Sequence, residues 1–131
     1  MTAAFEITLG VRDYECDLQG VVNNSVYQQY LEHARHEYLK ACGIDFAALT
    51  SQGIHLVVTR AELDYKASLT SGDTFTVVSS YEMASKLKFL FNQHIIRQRD
   101  KKVMLKARIY GVALNEKGRP FVPDDLIEKL S

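Results

Sequence analysis

Tyr14-Glu15-Cys16-Asp17-Leu18-Gln19-Gly20-Val21-Val22-Asn23-Asn24-Ser25-Val26-Tyr27 is the stretch on which the reading of this chain turns. An acidic side chain sits in a short loop, Glu15 to Asn24, and a glycine three positions on permits a sharp turn or a close backbone approach. Two valines follow, then polar residues suited to opening a helix. Ser25 with Gln28 has capping-box spacing, and Asn23 or Asn24 could cap instead. A helix start carries unpaired N–H groups and the positive end of a dipole. A carbonyl oxygen aimed there would be polarised and its developing negative charge stabilised. A carboxylate about seven residues earlier can curl back toward the same carbon, as nucleophile or as general base on water.

Working outward, the helix is expected over Ser25–Cys42. Val26, Tyr27, Tyr30, Leu31, Ala34, Tyr38, Leu39 and Cys42 recur at three and four residues and form one apolar stripe. Gly43 is a plausible stop, and Asp45–Ser51 a further short helix. Upstream, residues 5–14 read as a strand. Downstream the period becomes two. Val57, Thr59, Ala61, Leu63 and Tyr65 are expected on one face of a strand reaching Lys66, with Arg60, Glu62, Asp64 and Lys66 on the other. Further strands are expected around Phe75–Met83, over Leu87–Arg99 and over Val103–Leu114. Turns fall at Ser71-Gly72-Asp73, Asp100-Lys101 and Asn115–Pro120, and a terminal helix opens at Pro123. The reading is α+β: one long central helix wrapped by a five-stranded antiparallel sheet, in a single domain over residues 1–131. One helix cannot cover both faces of such a sheet. Leu90, Ile96, Tyr110, Val112 and Leu114 are expected to need cover, which with an unpaired sheet edge predicts a homodimer joined sheet edge to sheet edge.

Composition narrows the function classes. Hydrophobic residues at 47% and charged residues at 24% describe a globular chain, not a disordered one. Sixteen basic residues balance sixteen acidic ones, so no nucleic-acid footprint is expected. No apolar run approaches the roughly 20 residues of a membrane span, and Met1–Glu6 lacks the features of a signal peptide. Cytoplasmic location is the expectation, or the plastid stroma for a plant protein without its transit peptide. Cys16 and Cys42 fit no metal spacing and are expected as free thiols. His33 and His36 stand three apart on the helix, but no His-Glu-x-x-His pattern or third ligand accompanies them, so no metal is expected.

With these residues in place, the chain resembles the hotdog-fold acyl-CoA thioesterases of the 4-hydroxybenzoyl-CoA thioesterase-like family. Asp17, Gly20, Val21, Val22, Asn23, Asn24 and Tyr27 carry the resemblance, with Tyr30-Leu31-Glu32 and Ala34-Arg35 beyond them. It spans about residues 5–123. The resemblance implies a thioesterase hydrolysing an acyl-CoA or acyl carrier protein thioester to free acid and thiol, without cofactor. It implies Asp17 as the catalytic acid, the Asn24 backbone N–H as the oxyanion-type donor and Gly20 as the turn glycine. The resemblance also implies sites at the interface of a homodimer, often assembled into a homotetramer, with coenzyme A along the partner's sheet. One departure stands out: many bacterial members carry Tyr-His where this chain has Asn23-Asn24. A mechanism using that histidine does not transfer, whereas the backbone N–H role does.

Substrate contacts are expected from Val21, Val22, Asn23 and Tyr27, with Asn23 equally suited to capping and Tyr27 to lining an acyl pocket. Ser85, Lys86 and Lys88 stand where the family contacts the coenzyme A moiety, and Arg60 is a further candidate for its phosphates. Arg97, Arg99 and Arg119 are candidates beside it. Ser25 reads as a cap rather than a nucleophile. Cys16 reads as a small buried residue, with a reactive thiol as the alternative. Two other functions compete. A hotdog hydratase or dehydratase needs a histidine paired with an acid at the helix start, and none lies between Asp17 and His33. A non-catalytic acyl-CoA binding module would bind without releasing thiol.

Overall fold

A computed structural model describes residues 4–130. The order is β1 (Phe5–Gly10), a 3-10 turn (Asp13–Glu15), α1 (Asn24–Ala41), α2 (Phe46–Ser51), β2 (His55–Tyr65), β3 (Thr74–Met83), β4 (Phe89–Arg97), β5 (Val103–Leu114), β6 (Pro120–Phe121) and α3 (Asp124–Leu130). The sheet is antiparallel in the order β1-β3-β4-β5-β2, with β6 paired to the end of β5. Five main strands agree with the sequence reading. The two-residue β6 is an addition, formed where Asn115–Arg119 turns the chain back onto β5.

The apolar stripe of α1 packs on the sheet. Tyr27, Tyr30, Leu31, Ala34, Tyr38 and Leu39 are buried against Phe75, Val77, Phe91, Ile95, Leu105 and Ile109. Burying each large side chain stabilises by about 1.5–3 kcal/mol, so this contact is the main reason the helix forms. One polar group interrupts the apolar row of β4. Gln93, 2% exposed, donates to the Leu31 carbonyl (3.0 Å) and the Ser79 hydroxyl (2.9 Å) and accepts from Arg35 Nη1 (3.1 Å). A buried amide with all of these partners costs little and ties helix to sheet at a fixed point.

Four expectations need correction. First, β1 ends at Gly10, and Asp13–Glu15 coils into the 3-10 turn instead of extending the strand to residue 14. Second, β2 does not alternate evenly. Its register against β5 shifts between Val58 and Arg60, leaving Thr59 as an extra residue. Leu56 and Val58 lie opposite Ala113 and Gly111 on the inner face, with Ala61 and Leu63 opposite Ile109 and Ala107. Val57 therefore faces outward, opposite Val112, contrary to the expected pattern. Third, the outer-face residues expected to need a partner are partly covered within one chain. Leu90 and Val112 are buried, and Ile96, Tyr110 and Leu114 are half-buried. Fourth, the N-cap residue of α1 is Asn23, yet no side chain caps the helix, and the Ser25–Gln28 box does not form.

Candidate active site

The loop carrying Asp17 is a small closed hairpin. Cys16 pairs with Val22 across it. Asp17 N–H donates to the Val21 carbonyl (2.9 Å), and Gly20 N–H to the Asp17 carbonyl (3.0 Å). Gly20 has φ +81°, the left-handed region where a side chain strains the backbone, which gives the expected turn glycine its reason. The Asp17 carboxylate is held by its own loop: Oδ1 accepts from Gln19 N–H (2.9 Å) and Val21 N–H (3.3 Å). Among the described residues Oδ2 takes no hydrogen bond, and the side chain is exposed. One oxygen is thus fixed while the other is available.

The base of this hairpin is tied to the start of α1. Asn23 N–H donates to the Glu15 carbonyl (3.1 Å), and Val22 N–H to the Leu69 carbonyl (2.9 Å). Asn23 is extended (φ −62°, ψ 141°), and the helix begins at Asn24. With no side chain over the end, the first N–H groups of α1 stay open beside the Asp17 loop. Asn24 is exposed, and its carbonyl accepts from Tyr65 Oη (3.3 Å), which places the end of β2 beside the helix start.

Glu15 was missed in the sequence reading. It is 8% exposed, and its Oε1 accepts from Arg12 N–H (2.8 Å) and from Tyr30 Oη (2.8 Å). Arg12 Nη1 approaches Oε2 at 3.5 Å. The residue thus anchors the loop to α1 through its side chain and to the helix entry through its carbonyl. Burial, then the bond to Glu15, hold the Tyr30 hydroxyl far above its ordinary pKa, so it stays a donor. No local pattern marks it: Glu15 lies among Arg12, Asp13, Asp17 and Gln19, and Tyr30 is fifteen residues on. Only the fold brings Glu15 and Tyr30 together.

The other predicted residues separate into three groups. Val21 is half-buried and pairs with Thr70, whereas Val22 is buried at 3%. Tyr27 is a core residue at 2% exposure, and its hydroxyl accepts from Leu69 N–H (2.8 Å). It supports the site from beneath. Arg60 projects from the outer face of β2 and pairs with Glu62 at 2.9 Å. Ser85, Lys86 and Lys88 are exposed in the β3–β4 turn, closed by Ala84 N–H to the Lys88 carbonyl. The Asp17 loop meets the chain at Thr70, just before β3, so this turn stands at the other end of that strand. Ten residues at about 3.3 Å each put the two about 30 Å apart within one chain. Cys16 and Cys42 are free thiols. Burial, then the nearby carboxylates Asp13, Asp17 and Glu15, push the Cys16 thiol up, which disfavours the reactive thiolate. The His36 ring lies against Phe46 at a tilt of 54°, with ring centroids 4.9 Å apart.

The profile of the Thioesterase-like superfamily matches residues 11–130, nearly the whole chain. This chain belongs to the Thioesterase-like superfamily. It is therefore a thioesterase-family hydrolase, and it has the α+β hotdog fold. It is 34% identical over 130 residues to the chloroplastic acyl-acyl carrier protein thioesterase ATL3 of Arabidopsis thaliana, covering 98% of this chain and 68% of that protein. It is 36% identical over 115 residues to the chloroplastic acyl-acyl carrier protein thioesterase ATL2 of the same plant, covering 88% of this chain and 61% of that one. The thioesterase thus spans about two thirds of the length of these plant relatives. Its fold overlays on the crystal structure of a 1,4-dihydroxy-2-naphthoyl-CoA thioesterase from Synechocystis with TM-score 0.91, covering 98% and 96% of the two chains at 19% identity.

Proposed function

We propose that this thioesterase hydrolyses an acyl thioester of coenzyme A or acyl carrier protein, with Asp17 and the first N–H of α1 as its working parts. One observation carries the reading. A carboxylate fixed through one oxygen, with the other available, stands on a hairpin hydrogen-bonded to an uncapped helix start. The thioester carbonyl oxygen takes the Asn24 N–H, where negative charge develops at the positive end of the helix. Asp17 then works by one of two routes. As nucleophile it attacks the carbonyl carbon, the C–S bond breaks, the thiolate leaves and takes a proton from water, and water hydrolyses the resulting anhydride. As general base it removes a proton from a water that attacks the same carbon. Both give free acid and thiol. A single turnover in oxygen-18 water that leaves the label in the Asp17 carboxylate identifies the first route, with water adding at the aspartyl carbon of the anhydride.

The active unit in this reading is a pair of chains. β2 is an edge strand that presents Val58 and Tyr65, and the Asp17 loop presents Tyr14 and Leu18, all exposed in a single chain. Ser85, Lys86 and Lys88 are too far from Asp17 to serve it in their own chain. A second copy supplies them to the phosphates of the coenzyme or carrier arm. The two names among the plant relatives favour a carrier-protein thioester, and that of the Synechocystis structure a coenzyme A thioester.

The test is Asp17→Asn, assayed by thiol release. Asparagine keeps an oxygen for the Gln19 and Val21 N–H groups, so the loop and the fold persist. Turnover falls by about two to four orders of magnitude. A variant that retains full turnover removes Asp17 from the mechanism.

A further inference from the structure

We propose that Tyr27 and Tyr30 are positioning residues for hydrolysis: their hydroxyls hold the two legs of the Asp17 hairpin and set the distance between its carboxylate and the first N–H of α1. This rests on the hydrolytic reading above and adds to its site two residues that touch no substrate.

The apolar stripe of α1 needs no hydroxyls, since phenylalanine fills much the same space. Tyr27 and Tyr30 carry them within the first two turns, and both hydroxyls reach the hairpin. On the first leg, Tyr30 Oη donates to Glu15 Oε1 at 2.8 Å, two residues before Asp17. On the second leg the hold passes through one residue. Leu69 N–H donates to Tyr27 Oη at 2.8 Å, and the Leu69 carbonyl accepts from Val22 N–H at 2.9 Å. Val22 follows Val21, whose N–H donates to the Asp17 carboxylate. One hydroxyl donates and the other accepts, a choice open to tyrosine in an apolar row and to no aliphatic side chain.

Neither ring is free to shift. Tyr27 is 2% exposed and Tyr30 5%. Their rings meet edge to face with centroids 6.1 Å apart. Tyr65 stands against Tyr27 at 5.5 Å, and Phe75 against Tyr30 at 4.6 Å. Burial is the first cause raising both hydroxyls above 10.0, so both keep their protons at neutral pH. The same helix therefore supplies the donor for the thioester oxygen and, through these two side chains, the seat of the carboxylate. That spacing matters, because misplacing a reacting group by about 1 Å costs about a hundredfold in rate. Tyr38 supplies the contrast. It lies on the same stripe at 3% exposure, and among the described residues its hydroxyl has no partner.

Tyr27→Phe, Tyr30→Phe and Tyr38→Phe are each made in the native chain and in the Asp17→Asn variant. Folding is checked by circular dichroism, and thiol release is followed from acyl-coenzyme A and acyl carrier protein thioesters. In the native chain, Tyr27→Phe and Tyr30→Phe are expected to lower kcat by about tenfold to a hundredfold with KM within about twofold, while Tyr38→Phe changes neither. In the Asp17→Asn variant the same two substitutions are expected to change the residual turnover by less than about twofold. A residue that acts only through Asp17 then has nothing left to position. Amide exchange over residues 15–23, read by mass spectrometry, is expected to quicken in Tyr27→Phe and Tyr30→Phe and not in Tyr38→Phe. Equal losses with and without Asp17 assign the hydroxyls to the fold as a whole and overturn the proposal. So does a KM that rises with kcat unchanged, which would make these side chains part of a substrate wall. Full turnover with unchanged exchange overturns the positioning and leaves hydrolysis standing. Quickened exchange, with no thiol release by the native protein from any thioester, overturns hydrolysis and upholds the hold on the hairpin.

Discussion

At the scale of single residues, two groups of atoms fix the site, and they were unequally visible in the sequence. The turn at Gly20 and a helix start near Asn24 could be read from their order alone, because both are local properties, whereas the roles proposed for Asp17 and the Asn24 N–H rest on the family resemblance. Glu15 could not, because its role depends on Tyr30, which reaches it only after α1 has packed. Glu15→Ala leaves the Tyr30 hydroxyl buried without its acceptor and is expected to cost about 1–3 kcal/mol in urea unfolding, whereas Tyr30→Phe costs about 1 kcal/mol. The donor at the helix start has a cleaner test. Asn24 is the first helical residue, a position where proline is well tolerated, and Asn23 already has the extended conformation that proline requires of its predecessor. Asn24→Pro should therefore fold with native circular dichroism yet lose about two to three orders of magnitude in kcat, while Asn24→Ala keeps it. Equal activity in the two would detach the backbone N–H from the reaction.

Among elements, the long helix and β5 were the most legible. The α1 stripe repeats over five turns, and β5 begins and ends where alternation and turn residues place it. Strand ends were less so, since Val11 and Arg12 carry nothing that forbids another extended pair. The inner face of β2 was misread because a bulge leaves no composition mark: Thr59 is as good a strand residue as its neighbours. The close approach of Phe89 to β5 was equally hidden. A Cβ at Gly111 would stand 2.8 Å from the Phe89 ring and 2.8 Å from the Val57 carbonyl, so the backbones of β2 and β5 would have to part. Gly111→Ala is expected to destabilise by about 1–3 kcal/mol, seen as a lowered denaturant midpoint. An unchanged midpoint would show that β2 is held less tightly than the register implies.

Over the whole molecule, the interior is unusually rich in tyrosine. Tyr27, Tyr30, Tyr38 and Tyr81 are all buried, and burial is the first cause holding each hydroxyl above its ordinary value of 10.0. Folded pKa values above the unfolded ones mean that the native state keeps protons the unfolded chain gives up. The stabilisation is complete below pH 10 and is lost as pH rises past it. Unfolding should therefore be steep on the alkaline side, with tyrosinate absorbance appearing together with loss of circular dichroism. Absorbance that rises first, with the fold intact, would mean these hydroxyls titrate in place.

The extra residue in β2 gives that strand a parity. Leu56 and Leu63 are seven positions apart yet point the same way, because one residue between them takes no partner. Removing Thr59 would restore strict alternation and leave Leu56, Val58, Ala61 and Leu63 on the face they already share, because the residue lost is the one without a partner. A single-codon deletion there would straighten the strand and keep its inner row, whereas one residue more without a second bulge would turn half of it over, so the number of residues across this strand, as much as their kind, decides which side chains meet the helix.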